Sequence, residues 1–351
     1  MNTVIINSIG TATPGASKIL SDALKVPQDY ILKLLYSAPS VLFQKVDEDT
    51  ALKAEDTLKK LGLDVSVCDE QEPLNLTTEL VDISVSFEDV LTLPKVTEQL
   101  ASFLGCKQAE VLNLLLNEPS IVLGNVSEAT ALAMKKRVNA HVHYANPKKD
   151  LYTILINTEI KELELKAIEK QLQVKLKRKG DCYVAENISY SDSQWLWRKY
   201  QTQDKVKLIS QTHQLVTINL SDFDPENSEH ISYLTNHVGI PESILSDIQQ
   251  ALPITLFEYI NRERAEDLVE KAEKIGMEVA LEKDFDFKKQ LHITKIRDTK
   301  NVNTILAQFV SKDNLVKANA KEWKSRNVMP SLIARYLSEQ LERVGCNTEI
   351  V

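Results

Sequence analysis

Residues 38–67, APSVLFQKVDEDTALKAEDTLKKLGLDVSV, recur in outline at residues 252–281, LPITLFEYINRERAEDLVEKAEKIGMEVAL. Setting Pro39 on Pro253 brings Phe43 onto Phe257, Val46 onto Ile260, Ala51 onto Ala265, Gly62 onto Gly276 and Val65 onto Val279 without a gap. Residues 118–144, EPSIVLGNVSEATALAMKKRVNAHVHY, follow the same plan through Pro119, Val126 and Ala131. They then lose about one helical turn before Val142, so this copy is predicted to have the shortest last helix. Self-similarity of this kind outranks any single motif, because each copy has to be one supersecondary unit with its own periodicity.

The periodicity gives the unit its form. Ala51, Ala54, Leu58 and Leu61 recur at three- and four-residue steps, which predicts an amphipathic helix with Lys53, Glu55, Asp56 and Lys60 toward water. Asp47, Ser127 and Asn261 stand where the helix starts, and Gly62 just past the last turn permits the left-handed conformation that reverses the chain. In the strand after it, Val65 and Val67 alternate with Asp64 and Ser66. Upstream, residues 17–39, 97–119 and 230–253 each hold two short helical patterns parted by Val-Pro, Gly-Cys or Ile-Pro. Before each pair lies an alternating strand, TVIINSI (3–9), VDISVSF (81–87) or LVTINLS (215–221). One unit is strand, helix, helix, strand, helix, strand.

Two further stretches carry weaker copies. Residues 289–351 begin with the strand LHITKI (291–296), continue through a predicted helix over 303–323, and place Ala334 and Gly345 where Ala51 and Gly62 fall. Residues 151–210 keep the outline but replace the second helix with a basic, Gly-containing turn. The expected fold class is α+β: tandem small β-α-α-β-α-β units, each a three-stranded sheet covered on one face by helices. In chain order the segments are 1–72, 78–148, the divergent 151–210, 211–286 and 289–351, each of a size at which an isolated domain is marginal.

Composition excludes several classes. With 43% hydrophobic and 26% charged residues the chain reads as globular, and a net charge of -8 argues against wholesale phosphate binding. No run of eighteen apolar residues exists, and the N-terminus lacks a basic stretch followed by an apolar run, so neither a membrane span nor a secretory signal is expected. Cys68, Cys106, Cys182 and Cys346 lie far apart and fit buried thiols in a reducing cytoplasm.

The order of elements, the Ala-Pro before the second strand, the polar helix cap and the endings KKLGLDVSV and EKIGMEVAL resemble the C-terminal domain of the bacterial ribosomal stalk protein. A similar fold occurs in the adaptor of the Clp protease. The resemblance is best over residues 1–72, 78–148 and 211–286, and implies an α+β fold. That family docks translational GTPases through basic and small residues on its first two helices. Lys18 matches one basic position, but Ser21 stands for Arg, Leu32 for Lys and Pro27 for Gly, while Glu98 and Ser232 take the place of Lys18 in the other two copies. The tandem arrangement, with no dimerisation segment and hinge, also departs from the family.

No nucleotide-binding, zinc-protease or serine-hydrolase motif is present, so no catalytic residue and no cofactor are expected. His141 and His143 share one face of a strand, with no third His or Cys nearby in sequence to complete a metal site. The acidic run Asp47, Glu48 and Asp49 sits at a helix start, where carboxylates are stabilised without any catalytic role. The one polar surface singled out combines Lys175, Lys177, Arg178 and Lys179 with Trp195, Trp197, Arg198, Lys199 and Tyr200. Basic residues among aromatics suit a solvated hairpin with a buried Trp, a protein interface, or a single-stranded nucleic acid held by phosphates and stacked rings. The expectation is a noncatalytic, cytoplasmic protein-interaction scaffold within a larger assembly. A translation- or ribosome-associated factor comes second, and nucleic-acid binding through residues 175–200 third.

Overall fold

The computed structural model describes residues 1–69, 79–87, 89–180, 182–201, 205–283, 285 and 287–351. The junction placed between residues 72 and 78, and the boundary at 286, lie outside the described residues. The fold is α+β. Segment one runs β1 (Asn2–Ser8), α1 (Gly15–Leu24), α2 (Gln28–Tyr36), β2 (Ser40–Val46), α3 (Glu48–Lys60) and β3 (Asp64–Asp69). Segment two repeats that order with β4 (Leu80–Ser86), α4 (Leu93–Leu104), α5 (Gln108–Leu115), β5 (Ile121–Ser127), α6 (Glu128–Arg137) and β6 (His141–Ala145).

Segment three differs, with β7 (Tyr152–Asn157), α7 (Glu162–Leu172), β8 (Lys177–Lys179), β9 (Cys182–Ile188), α8 (Tyr190–Tyr200) and β10 (Val206–Ser210). Segment four returns to the first plan: β11 (Leu215–Asp222), α9 (Ser228–Tyr233), α10 (Leu245–Ala251), β12 (Ile254–Asn261), α11 (Arg262–Lys274) and β13 (Glu278–Glu282). Segment five comprises β14 (Lys288–Lys289), β15 (Leu291–Thr294), α12 (Thr299–Leu306), β16 (Leu315–Asn319), β17 (Glu322–Ser325), β18 (Met329–Pro330), α13 (Ser331–Arg343) and β19 (Asn347–Ile350).

Segments one, two and four each form a three-stranded antiparallel sheet whose first strand is central, in the orders β2-β1-β3, β5-β4-β6 and β12-β11-β13. Segments three and five correct the single-plan expectation. Their sheets have four strands, β10-β7-β9-β8 and β16-β17-β15-β19, the β-α-β-β-α-β arrangement of a split βαβ. In segment five the helix predicted over 303–323 stops at Leu306, and β16 and β17 pair as a hairpin in its place. Trp323, 2% exposed, is the reason: as a strand residue it enters the core.

Local devices recur at equivalent places. Lys45, Asn125, Asn187 and Tyr259 each adopt positive φ two residues before a helix N-cap, where the strand register shifts. Such a bulge bends the strand and aims the chain into the helix. Asp47 accepts from Thr50 N at 2.9 Å and from Thr50 Oγ1 at 2.7 Å, bonds that hold its carboxyl below the usual range. Ser127, Ser189 and Asn261 cap α6, α8 and α11 in the same way. Gly62, Gly276 and Gly345 take φ of 88°, 88° and 84° after α3, α11 and α13. There the next amide bonds back at 3.1 Å to Leu58, Ala272 or Leu341, closing three alike helix ends. The peptide bonds before Pro39, Pro119 and Pro253 are cis. α6 has 10 residues against 13 in α3, α11 and α13.

The chain divides into two compact units, residues 1–146 with 287–351, and residues 147–286. In the first unit, segments one, two and five do not keep separate cores. Val4, Ile6, Ile83, Val96, Met134, Ile293 and Leu337 belong to one continuous buried cluster. The joints are specific. Thr130 Oγ1 donates to the Tyr36 carbonyl at 3.0 Å and Arg137 Nη1 to the Ala12 carbonyl at 2.8 Å, tying α6 to segment one. Tyr36 Oη donates to the Phe103 carbonyl at 3.4 Å, and burial pushes its phenol up. α13 packs against the 3-10 turn Val90–Thr92 of segment two, and Arg335 Nη2 meets Glu118 Oε1 at 3.1 Å with both side chains under one-tenth exposed. Glu118 precedes Pro119 where segments one and four have Ala38 and Leu252.

In the second unit, segments three and four keep separate cores, one around Ile154, Ile168 and Leu196 and others around Leu220 and Ile218. Polar contacts join them through residues 211–214. Asn261 Nδ2 donates to the Thr212 carbonyl at 2.8 Å, Arg262 N to the Gln214 carbonyl at 3.3 Å, and Lys283 pairs with Glu186.

Truncating one partner of a buried ion pair strands the other charge. Arg335→Ala is therefore expected to lower the stability of the first unit by about 3–5 kcal/mol, while Glu118→Leu with Arg335→Met recovers most of that loss. Breaking the exposed Glu55–Lys59 pair by Glu55→Ala is expected to cost no more than about 0.5 kcal/mol. Urea unfolding of the four proteins measures all three values.

Candidate functional site

The basic and aromatic residues of segment three fall on two elements. β8 holds Lys177, Arg178 and Lys179, all exposed, and pairs them with Val184, Tyr183 and Cys182 on β9; Lys175, also exposed, precedes it. An edge strand made of cations resists pairing with another chain, which gives this hairpin a structural role. Lys179 Nζ lies 5.4 Å from the centre of the Phe285 ring.

α8 is fixed by its inner face. Ser193, Leu196 and Tyr200 are buried at three- and four-residue steps, and Ser189 accepts the Asp192 amide at 3.2 Å. Tyr200 is 2% exposed and belongs to the core, which removes it from any binding surface. Trp195 is half-buried against the same core, while Trp197 points away and is 40% exposed. Arg198 and Lys199 are exposed, and Lys199 Nζ sits 5.2 Å above the Trp195 ring.

The sheet order keeps the two elements apart. α8 packs on β10 and β7, whereas β8 is the opposite edge strand. Three strand spacings, about 14 Å, separate the two edges. Lys175, Lys177, Arg178 and Lys179 thus form one patch, and Trp195, Trp197, Arg198 and Lys199 another. His141 and His143, on edge strand β6, have ring centres 6.3 Å apart, and His143 Nε2 lies 2.8 Å from Ser86 Oγ. Among the described residues no group of three or more His, Cys, Asp or Glu side chains is placed to hold a metal.

The last helix of each segment carries a stripe three, six and ten residues beyond its N-cap. On α6 the stripe is Thr130, Ala133 and Arg137, and it touches segment one. On α13 its first two members are Ile333 and Tyr336, both buried, beside the Arg335 that pairs with segment two. On α3 and α11 the stripe is Thr50, Lys53 and Thr57, and Arg264, Asp267 and Lys271, all exposed. On α8 it is Asp192, Trp195 and Lys199, with a recess of about 610 Å³ lined by Tyr190, Ser191, Gln194, Trp195, Arg198 and Lys199. Lys199 stands where Arg137 does. The sequence signal for this stripe is an uncharged residue, Ala133, Tyr336 or Trp195, where α3 and α11 have Lys53 and Asp267.

No protein-family model, curated protein or solved structure matches this chain.

Tyr200→Ala is expected to destabilise segment three by about 3–5 kcal/mol, and Trp197→Ala by less than about 0.5 kcal/mol. The Tyr200 hydroxyl has no hydrogen-bond partner among the described residues. Tyr200→Phe is accordingly expected to be neutral or stabilising by up to about 1 kcal/mol. Chemical denaturation followed by tryptophan fluorescence distinguishes the three.

Proposed function

We propose that this chain is a noncatalytic protein-interaction scaffold of the cytoplasm, built of tandem ribosomal-stalk-like segments and part of a larger assembly. The observation that supports it most is that two last helices, α6 and α13, each dock on another segment of the same chain. α6 docks on segment one through Thr130 and Arg137, and α13 docks on segment two at the turn Val90–Thr92, with Arg335 beside the stripe paired to Glu118. A helix face that docks within the chain is chemically suited to docking elsewhere, and segments with different outer faces offer different partners. No helix is long and apolar enough to cross a membrane among the described residues.

A translation- or ribosome-associated role is the second reading. The shared β-α-α-β-α-β order and strand order of segments one, two and four favour it, since these are the segments that resemble the stalk domain. Nucleic-acid binding through residues 175–200 is third, and the separation of β8 from α8 leaves it two small patches instead of one groove.

Affinity purification of the full chain from its native host, with cross-links mapped by mass spectrometry, tests this order. A discrete non-ribosomal complex cross-linked to the outer helix faces is expected. Translational GTPases or ribosomal proteins in stoichiometric amount would favour the second reading, and recovery without any protein partner would contradict the scaffold reading.

A further inference from the structure

We infer that the α8 face of segment three docks on a second copy of this chain, at the acidic corner between β11 and α9. The inference rests on reading the chain as an interaction scaffold and names one partner. Its first support is the stacking inside the chain. Both docked helices, α6 and α13, land at the same place on the receiving segment, the corner after its first strand. For α6 that corner includes Ala12, which accepts from Arg137, and for α13 it is the turn Val90–Thr92. The register that sets Pro39 on Pro119 superposes these two corners, and the register that sets Pro39 on Pro253 places the third at Asp224, Pro225 and Glu226.

Among the described residues no hydrogen bond or ion pair joins a last helix of the second unit to the acidic side chains of that third corner. Asp222, Asp224 and Glu226 are exposed there; Glu226 N donates to Asp224 Oδ1 at 2.9 Å and Asp224 N to His230 Nδ1 at 2.9 Å, while His230 Nε2 lies 2.8 Å from the Ile275 carbonyl at the end of α11.

The second support is the stripe itself. Terminal faces of stacked segments are ordinarily polar, as α3 and α11 are. α8 departs from this by placing Trp195 where the docked helices have Ala133 and Tyr336, and Lys199 where α6 has Arg137. Lys199 lies 5.2 Å over Trp195, as Arg137 lies 4.9 Å over Phe103 at the occupied joint. The third support is charge. A cation of the docking helix meets an oxygen of the receiving segment in both occupied joints, and the third corner offers carboxylates to Arg198 and Lys199. Opposite charges steer such an encounter and fix its register. Each copy carries both surfaces, and the arrangement inferred is the reciprocal one, a twofold dimer in which each α8 meets the other copy's corner.

Charge reversal tests this with purified full-length protein in sedimentation velocity at low salt. The unmodified chain is expected to dimerise as its concentration rises. R198E/K199E and D222K/E226K change exposed side chains only, and circular dichroism is expected to stay unaltered. Each variant alone is expected to raise the dimer Kd at least tenfold, because like charges then face each other. Mixing the two variants restores one contact with signs exchanged and the other with its original signs, and a mixed dimer within about threefold of the original Kd is expected. A chain that stays monomeric, a dimer indifferent to both reversals, or single variants weakened without recovery on mixing would each overturn the inference. A monomeric chain that binds a labelled single-stranded oligonucleotide, and loses that binding in R198E/K199E, would overturn it in favour of nucleic acid. These results leave the scaffold reading to the host-partner experiment, which does not depend on self-association.

Discussion

Two helices that bury more than one face hold the first unit together. A last helix packed only on its own sheet needs a single apolar stripe, and α3 shows one, with Ala51 and Leu58 inward and salt-bridged Lys and Glu outward. α6 and α13 have a second demand. Thr130, Ala131, Ala133 and Met134 are buried around much of α6, and every residue from Ser331 to Leu337 is buried in α13. Alanine and threonine allow close approach on both sides of α6, and Arg137 spends its cation on a backbone carbonyl of the neighbouring segment. From that constraint the continuous core follows.

The buried Glu118–Arg335 pair works at the next level. Desolvating two charges offsets most of their attraction, so the pair adds little net stability. Its effect is selective: Glu118 occurs only in segment two, and Ala38 and Leu252 at the matching places offer α13 no carboxylate. Segment five is thereby directed to segment two, although 140 residues of the second unit lie between them in sequence.

Much of this architecture was legible in the residues. The gapless match of Pro39 to Pro253 carried the strand, the cap and the glycine with it, because each is set by short-range chemistry. A left-handed glycine closes the helix and an Asp, Ser or Asn opens it. The hairpin of segment five was not legible. Residues 315–323 are rich in Ala, Lys and Glu and favour a helix locally, but the Asx turn at Asn319, which accepts from Lys321 N at 2.8 Å, and the burial of Trp323 prevail. The site was half legible. Composition flagged both basic stretches, yet their separation depends on strand order, which spacing along a chain does not encode. The docking contacts were not legible, since Thr130, Arg137 and Arg335 are ordinary helix residues by spacing alone.

The central claim is that segments one, two and five unfold as one body. Native-state hydrogen exchange on the full chain measures this most directly. The account predicts that the slowest amides of β1, β4 and β15, and of α6 and α13, share one opening free energy and one denaturant dependence. Three separate opening energies, with β15 and α13 exchanging independently of β1 and β4, would contradict it.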